Sequence, residues 1–271
     1  MATVVVNANL DLDIRTLDFS ALRHGVSFSA KPDSYVVNYG NGLFDAFEGS
    51  RLTYNVNHQL TGGVVTAYAA LLLGIPLLAM TGLHIPAMSI GAAARTVSLA
   101  DDHAVIRSAL AGNDTVKGGK LNDYLEGFDG NDTLVGNGGA DKLLGDKGND
   151  SLNGGAGIDH ESGGAGNDYF VFNAPRNVAN RDYIHDFSNL PSNNDTIRLD
   201  NAVMLIGKNG PLNPDYFFAG SQAHEANDRI IYNKANGYLS YDSNGDLAGG
   251  VTLLAVLTNK PTLTAADFVL I

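Results

Sequence analysis

GNDTLVGNG (130–138), GADKLLGDK (139–147) and GNDSLNGGA (148–156) are consecutive nonapeptides in one frame, and the frame extends from Ala109 to Phe172. Aspartates stand at Asp114, Asp123, Asp132, Asp141, Asp150, Asp159 and Asp168, each nine residues after the last. Glycine precedes six of the seven by two positions, at Gly112, Gly130, Gly139, Gly148, Gly157 and Gly166. Two positions after the aspartate comes an apolar side chain at Val116, Leu125, Leu134, Leu143, Leu152 and Phe170, with Glu161 alone breaking that column. A flexible glycine-rich linker has no reason to hold an apolar residue on a fixed beat. A repeat architecture does, because each unit buries its apolar residue against its neighbours.

The unit Gly163-Gly-Ala-Gly-Asn-Asp168-Tyr-Phe-Val171 shows the chemistry. Its first six residues suit a turn and its last three a strand. Glycine serves where the turn takes positive φ and where backbone must come close to an ion. Packed turns then point carbonyl oxygens at a common centre, and aspartate adds a charged oxygen. A hard divalent cation with about six to eight oxygen ligands at about 2.3–2.6 Å fits such a set, and calcium tolerates its irregular geometry better than magnesium does.

The pattern resembles the RTX, or haemolysin-type, calcium-binding repeat. The resemblance implies a parallel β-roll in which two nonapeptides make one coil. Asp114, Asp132, Asp150 and Asp168 would then line one edge, and Asp123, Asp141 and Asp159 the other. Three gaps on the first edge and two on the second imply about five Ca2+ ions, held by these aspartates and by the turns containing Gly112, Gly130, Gly139, Gly148, Gly157 and Gly166. The apolar column would form a core one residue deep per unit, so metal must supply stability that burial cannot.

Two departures stand out. Leu121 replaces glycine in the second unit, so a distorted turn and a weaker site are expected there. Glu161 must reach solvent, find a partner or coordinate an ion, because an unpaired buried carboxylate is too costly. A local opening of the roll near His160–Ser162 is the expected outcome. The glycosylation-like triplets at Asn113, Asn131 and Asn149 follow from the repeat itself.

The 271 residues carry a formal net charge of −12 and no cysteine. Such acidity argues against nucleic acid or an anionic membrane surface as the main partner and in favour of bound cations. Disulfides, thiolate metal sites and cysteine nucleophiles are excluded. The opening residues lack a basic n-region, so export by a cleaved N-terminal signal is not expected.

Residues 1–108 read as an α+β cap over the open end of the roll. Val4–Val6, Tyr35–Asn38 and Arg51–Asn55 have strand character. Gly62–Leu83 carries no charge over 22 residues, long enough for a membrane span. Pro76 near its centre and the lack of flanking basic clusters favour two buried strands, roughly Val64–Leu72 and Leu77–Thr81. Ile90, Ala93, Ala94 and Val97 follow a helical stripe. Asp101 and Asp102 can cap a second helix with Val105, Ile106, Ala109 and Leu110 on one face.

Residues 173–271 read as a β-rich cap. Asp182–Phe187 and Asp195–Leu199 alternate polar and apolar positions and resemble the strand pair that closes the roll in RTX proteases and epimerase modules. Asp182 and Asp195 are candidate ligands for one or two further ions, or equally solvent-facing strand positions. A hairpin is expected around Asn236-Gly237. Asp242-Ser-Asn244-Gly-Asp246 lacks the sixth-place glycine and distal glutamate of an EF-hand and reads as a turn. The end, Asp267-Phe-Val-Leu-Ile271, resembles the C-terminal signal of type I secreted RTX proteins.

No catalytic motif emerges. The seven histidines include no pair three or four apart, and no Gly-x-Ser-x-Gly elbow occurs. The fold class expected is mainly β, with the roll at 109–172 between caps at 1–108 and 173–271. The organisation resembles short secreted haemolysin-type proteins of Gram-negative bacteria. That resemblance implies a secreted calcium-binding protein exported by the type I secretion machinery; with no catalytic motif, the role expected first is a non-enzymatic scaffold or adhesin contacting cell-surface polysaccharide. The alternatives are a membrane-active effector inserting Gly62–Leu83 and an enzyme with an unrecognised N-terminal site.

Overall fold

In a computed structural model, which describes residues 1–6, 13, 27–39, 43–54, 60–72, 75–86, 89–90, 99–175 and 180–271, the nine-residue beat becomes two facing stacks of parallel strands. Thr115–Lys117, Thr133–Gly138, Ser151–Ala156 and Tyr169–Phe172 are neighbours in the first sheet. Tyr124–Glu126, Lys142–Leu144 and His160–Ser162 are neighbours in the second. Leu134 pairs with Leu152 and Leu152 with Phe170, while Leu125 pairs with Leu143, so successive coils are offset by two units. Alternation within each strand turns one side chain inward. Val116, Leu134, Leu152 and Phe170 from one sheet, and Leu125 and Leu143 from the other, are wholly buried.

The stack outlasts the repeats by a coil. Asp182–Ile184 joins the second sheet beside His160–Ser162, and Thr196–Leu199 joins the first beside Tyr169–Phe172, both in parallel. Phe268–Leu270 then pairs in parallel with Thr196–Leu199, and Val251–Leu257 with Asp182–Ile184. The expected hairpin is present, Ile230–Asn233 running antiparallel to Tyr238–Asp242 with Gly237 at φ +80°. Asp242–Asp246 is a turn in which Asn244 donates its N–H to Asp242 Oδ1 at 3.0 Å. Phe268 and Leu270 are buried, so the acidic-apolar tail forms a core strand.

At the other end Thr3–Val6 adds to the first sheet in parallel with Thr115–Lys117 and antiparallel to Ile75–Pro86. Leu60–Leu72, Leu43–Tyr54, Ser34–Asn38 and Ser27–Lys31 continue it as an antiparallel meander. The uncharged stretch is therefore a strand pair, but not one buried on both faces. Val65 and Met80 are covered whereas Thr66 and Thr81 are exposed, the alternation of a sheet with one packed side. Among the described residues no helix is long and apolar enough to cross a membrane.

Helix Leu99–Ala109 begins before Asp101 and Asp102, which lie inside its first turns instead of capping it. Its buried Val105 and Ile106 face the core. Arg107 and His103 reach Glu126 at 3.8 and 3.7 Å, and Arg107 lies 4.7 Å over the Phe128 ring. The helix thus covers the strand Tyr124–Glu126, the terminal strand of the second sheet. Ile90 is helical and buried; Ala93, Ala94 and Val97 lie outside the described residues.

Candidate metal centre

Coil stacking turns the aspartates into two ladders. On the first edge Asp132 Oδ1 accepts the Asp114 N–H at 2.7 Å, Asp150 Oδ1 that of Asp132 at 2.7 Å, and Asp168 Oδ1 that of Asp150 at 2.8 Å. On the second, Asp141 Oδ1 accepts from Asp123 and Asp159 Oδ1 from Asp141, both at 2.8 Å. Asp195 and Asp182 extend the ladders by a rung, accepting from Asp168 and Asp159 at 3.0 Å each. At the opposite end the Ala2 N–H donates to Asp114 Oδ1. Asparagines run a counter-ladder: Asn131, Asn149 and Asn167 each donate a backbone N–H to the asparagine side chain one coil earlier. Read as sequence, these asparagines carried no role.

The second carboxylate oxygen is the informative one. Oδ2 of Asp114, Asp132, Asp141, Asp150, Asp159 and Asp168 is buried with no hydrogen-bond partner. One such orphan costs about 1–3 kcal/mol, and more if charged. What faces five of these oxygens, all but that of Asp114, is a second glycine column, four residues after each of the first six aspartates. A methyl carbon on Gly127 would lie 2.6 Å from Asp132 Oδ2 and 2.9 Å from the Gly145 carbonyl oxygen. Gly118, Gly136 and Gly145 see the same pair, a carboxylate oxygen and a carbonyl oxygen from the next coil.

Glycine therefore leaves space where two oxygens converge. These are hard donors suited to calcium. Each pocket draws one carboxylate and backbone carbonyls, and among the described residues no group of three His, Cys, Asp or Glu side chains gathers for a metal. The first column, Gly112, Gly130, Gly139, Gly148, Gly157 and Gly166, has φ between +118° and +148°. A side chain on Gly148 would run into the Gly130 carbonyl, so these positions let coils stack in contact.

Burial makes the ladders expensive to charge. It pushes Asp132 and Asp141 up to about 7, and Asp150, Asp168 and Asp195 up to about 6. Asp182 rises to about 8, through burial first and the neighbouring Asp159 second. A cation between the rungs would reverse that preference by compensating the carboxylates.

The two departures resolve differently. Leu121 does not share the positive φ of Gly139 and Gly157 on its edge, and Asp123 Oδ2 accepts the Gly119 N–H at 2.6 Å, unlike the orphaned oxygens. Glu161 does not open the roll. His160–Ser162 keeps its pairing with both neighbours, Glu161 is 1% exposed, and its Oε1 accepts the Gly154 N–H at 2.9 Å. Burial, followed by the nearby Asp182 and Asp159, holds it well above the usual carboxylate range. Asp195 has both oxygens engaged, Oδ2 accepting from the Ser188 N–H at 2.8 Å. The fold also brings together two histidines far apart in sequence, with His160 Nδ1 at 2.9 Å from His185 Nε2.

Residues 108–143, 126–161 and 144–174 match the model of the RTX calcium-binding nonapeptide repeat. No curated protein matches the chain. Among solved structures, the AlgE6R3 subunit of the Azotobacter vinelandii mannuronan C5-epimerase is similar, with 28% identity over 58% of this chain and 78% of that one, at a TM-score of 0.25. The segment between the two caps is an array of RTX calcium-binding repeats folded as parallel β-roll sheets.

Proposed function

We propose that this is a secreted protein whose roll folds on binding extracellular calcium after type I export, and that it then acts by binding and not by catalysis. The orphaned, buried Oδ2 atoms carry the reading. In the repeats Asp and Glu outnumber Lys by eleven to four. Where calcium is scarce, self-repulsion favours an unfolded chain. Extracellular modules bind calcium at about 10⁻⁴ to 10⁻³ M, and binding only the folded form stabilises it by linkage. About five ions would occupy the gaps within the repeats. Circular dichroism during a calcium titration tests the coupling: β content should rise with calcium, and unchanged β content in excess chelator contradicts it.

The biological role proposed is a scaffold or adhesin that contacts cell-surface polysaccharide. Its support is a row on the outer face of the second sheet, where Tyr124, Lys142, His160 and Tyr183 occupy paired positions on successive strands. Lys142 lies 5.2 Å over the Tyr124 ring, and His160 stacks on Tyr183 at 4.8 Å. Flat rings beside a cation can hold sugar faces and hydroxyls. A glycan array probed in calcium tests it; binding that survives Tyr124→Ala with Tyr183→Ala excludes this face.

A further inference from the structure

The last turn on each edge is built differently from those before it. Inside the stack, glycines of the second column donate to backbone of the following coil: Gly118 to the Val135 oxygen at 2.8 Å, Gly127 to Leu144 at 2.8 Å, Gly145 to Ser162 at 2.9 Å. Gly154 and Gly163 close the column, and there the chain leaves the repeat. The next ladder rungs come 23 and 27 residues on instead of 18. Carboxylates take over from the missing backbone: Gly154 donates to Glu161 Oε1 at 2.9 Å and Gly163 to Asp186 Oδ1 at 3.0 Å.

The same two glycines face the last orphaned oxygens. The three atoms nearest a methyl carbon on Gly154 all belong to Asp159, and on Gly163 all to Asp168, whereas inner glycines also meet a carbonyl from the next coil. Oδ2 of Asp159 and of Asp168 is unpartnered, and both residues are 0% exposed. Glu161 and Asp159 thus converge on Gly154, and Asp186 and Asp168 on Gly163. We propose that Glu161 and Asp186 are ligands of two terminal calcium sites, one closing each edge, where a side-chain carboxylate stands in for the glycine carbonyl that the following, non-repeat coil does not supply. The proposal rests on the calcium reading above. It accounts for the broken apolar column: Glu161 sits in line with Leu143 and Ile184 because its carboxylate serves the edge and not the core. Two carboxylates per terminal pocket against one in the inner pockets make these the sites of higher charge, and charge count is a main control of calcium affinity.

The test is calcium calorimetry with equilibrium dialysis on the full chain, comparing the parent with Glu161→Leu, Glu161→Gln and Asp186→Asn, folding in calcium being checked by circular dichroism. Glu161→Leu restores the apolar column and so keeps the roll; Glu161→Gln keeps the shape. Each single variant should bind one ion fewer, or weaken the tightest class at least tenfold, and Glu161→Leu with Asp186→Asn should lose both. Unchanged ion count and affinity in all variants overturns the proposal and leaves Glu161 a buried acid held by the Gly154 N–H. A parent chain that binds no calcium overturns the calcium reading itself.

Discussion

At Thr3–Val6 and Thr115–Lys117 a single sheet changes character. On the N-terminal side its strands are long and antiparallel, up to 13 residues in Leu60–Leu72, and an aromatic group fills the packed face, with Phe47 at 6.0 Å from Tyr35 and 4.9 Å from Tyr68. On the repeat side several strands are three residues long, each contributing one inward apolar residue, and buried carboxylates line both edges. The first side is built like an ordinary half-buried sheet, stabilised by packing. The second concentrates charge where charge is costly, with Asp132, Asp141, Asp150, Asp159 and Asp168 all buried. On the calcium-coupled folding proposed above, the same ladder of backbone hydrogen bonds depends on metal on one side of Thr3–Val6 and on side-chain packing on the other.

The comparison can be broken from either side. The largest single effect is expected from Phe47→Ala, about 3–5 kcal/mol lost from the N-terminal sheet. Thermal melts should show that loss equally with calcium and with chelator. Next comes Asp150→Asn, which keeps the Oδ1 acceptor for the Asp132 N–H but removes the charge. It should raise the calcium midpoint for folding at least tenfold, about 1.4 kcal/mol, and leave the melting of the N-terminal sheet unchanged.

A smaller effect comes from pH. The ladder carboxylates bind more protons in the ion-free folded state than unfolded, since Asp132 and Asp141 are pushed to about 7 and Asp182 to about 8. Their contribution is full below about pH 4 and is lost as pH rises through 6 to 8. In chelator, circular dichroism should show β content falling from pH 5 to pH 8. In calcium the trend reverses, because the ions displace protons, and affinity should grow over the same range. The N-terminal sheet holds Asp45 as a contrasting group, half-buried and raised but accepting from Tyr39 and Tyr68 at 2.5 and 2.8 Å. The smallest effect is expected from Leu121→Gly, which restores the repeat glycine. A gain in affinity for the ion beside Asp123, within about 1 kcal/mol and partly offset by the flexibility of glycine, should be visible by calorimetry.

The repeats were readable because one side chain per nine residues is tied to one place in a coil. Val116, Leu134 and Leu152 stack as their spacing implies, and the aspartates divide between two edges. Less legible was what happens when a residue breaks the pattern. Glu161 was expected to force the roll open, yet strand pairing on both sides holds it in, and the Gly154 N–H gives its carboxylate a partner. Asp186 gave no signal at all, because its contact with Gly163 depends on a chain departure that spacing does not encode. The N-terminal meander was legible only as short strands, since Gly62, Gly63 and Pro76 look like breaks while the sheet accommodates them through register shifts. The sequence spacing of His160 and His185 concealed their contact, which arises from pairing between neighbouring strands.

Region-resolved hydrogen–deuterium exchange with and without chelator tests the central claim most directly. In calcium, amides of Thr133–Gly138, Ser151–Ala156 and Leu43–Tyr54 should all be protected. In chelator at pH 7.5, the two repeat strands should exchange at the rate of an unfolded chain while Leu43–Tyr54 and Leu60–Leu72 stay protected. Repeat strands that remain protected in chelator would contradict the account and show that the roll is held by packing alone.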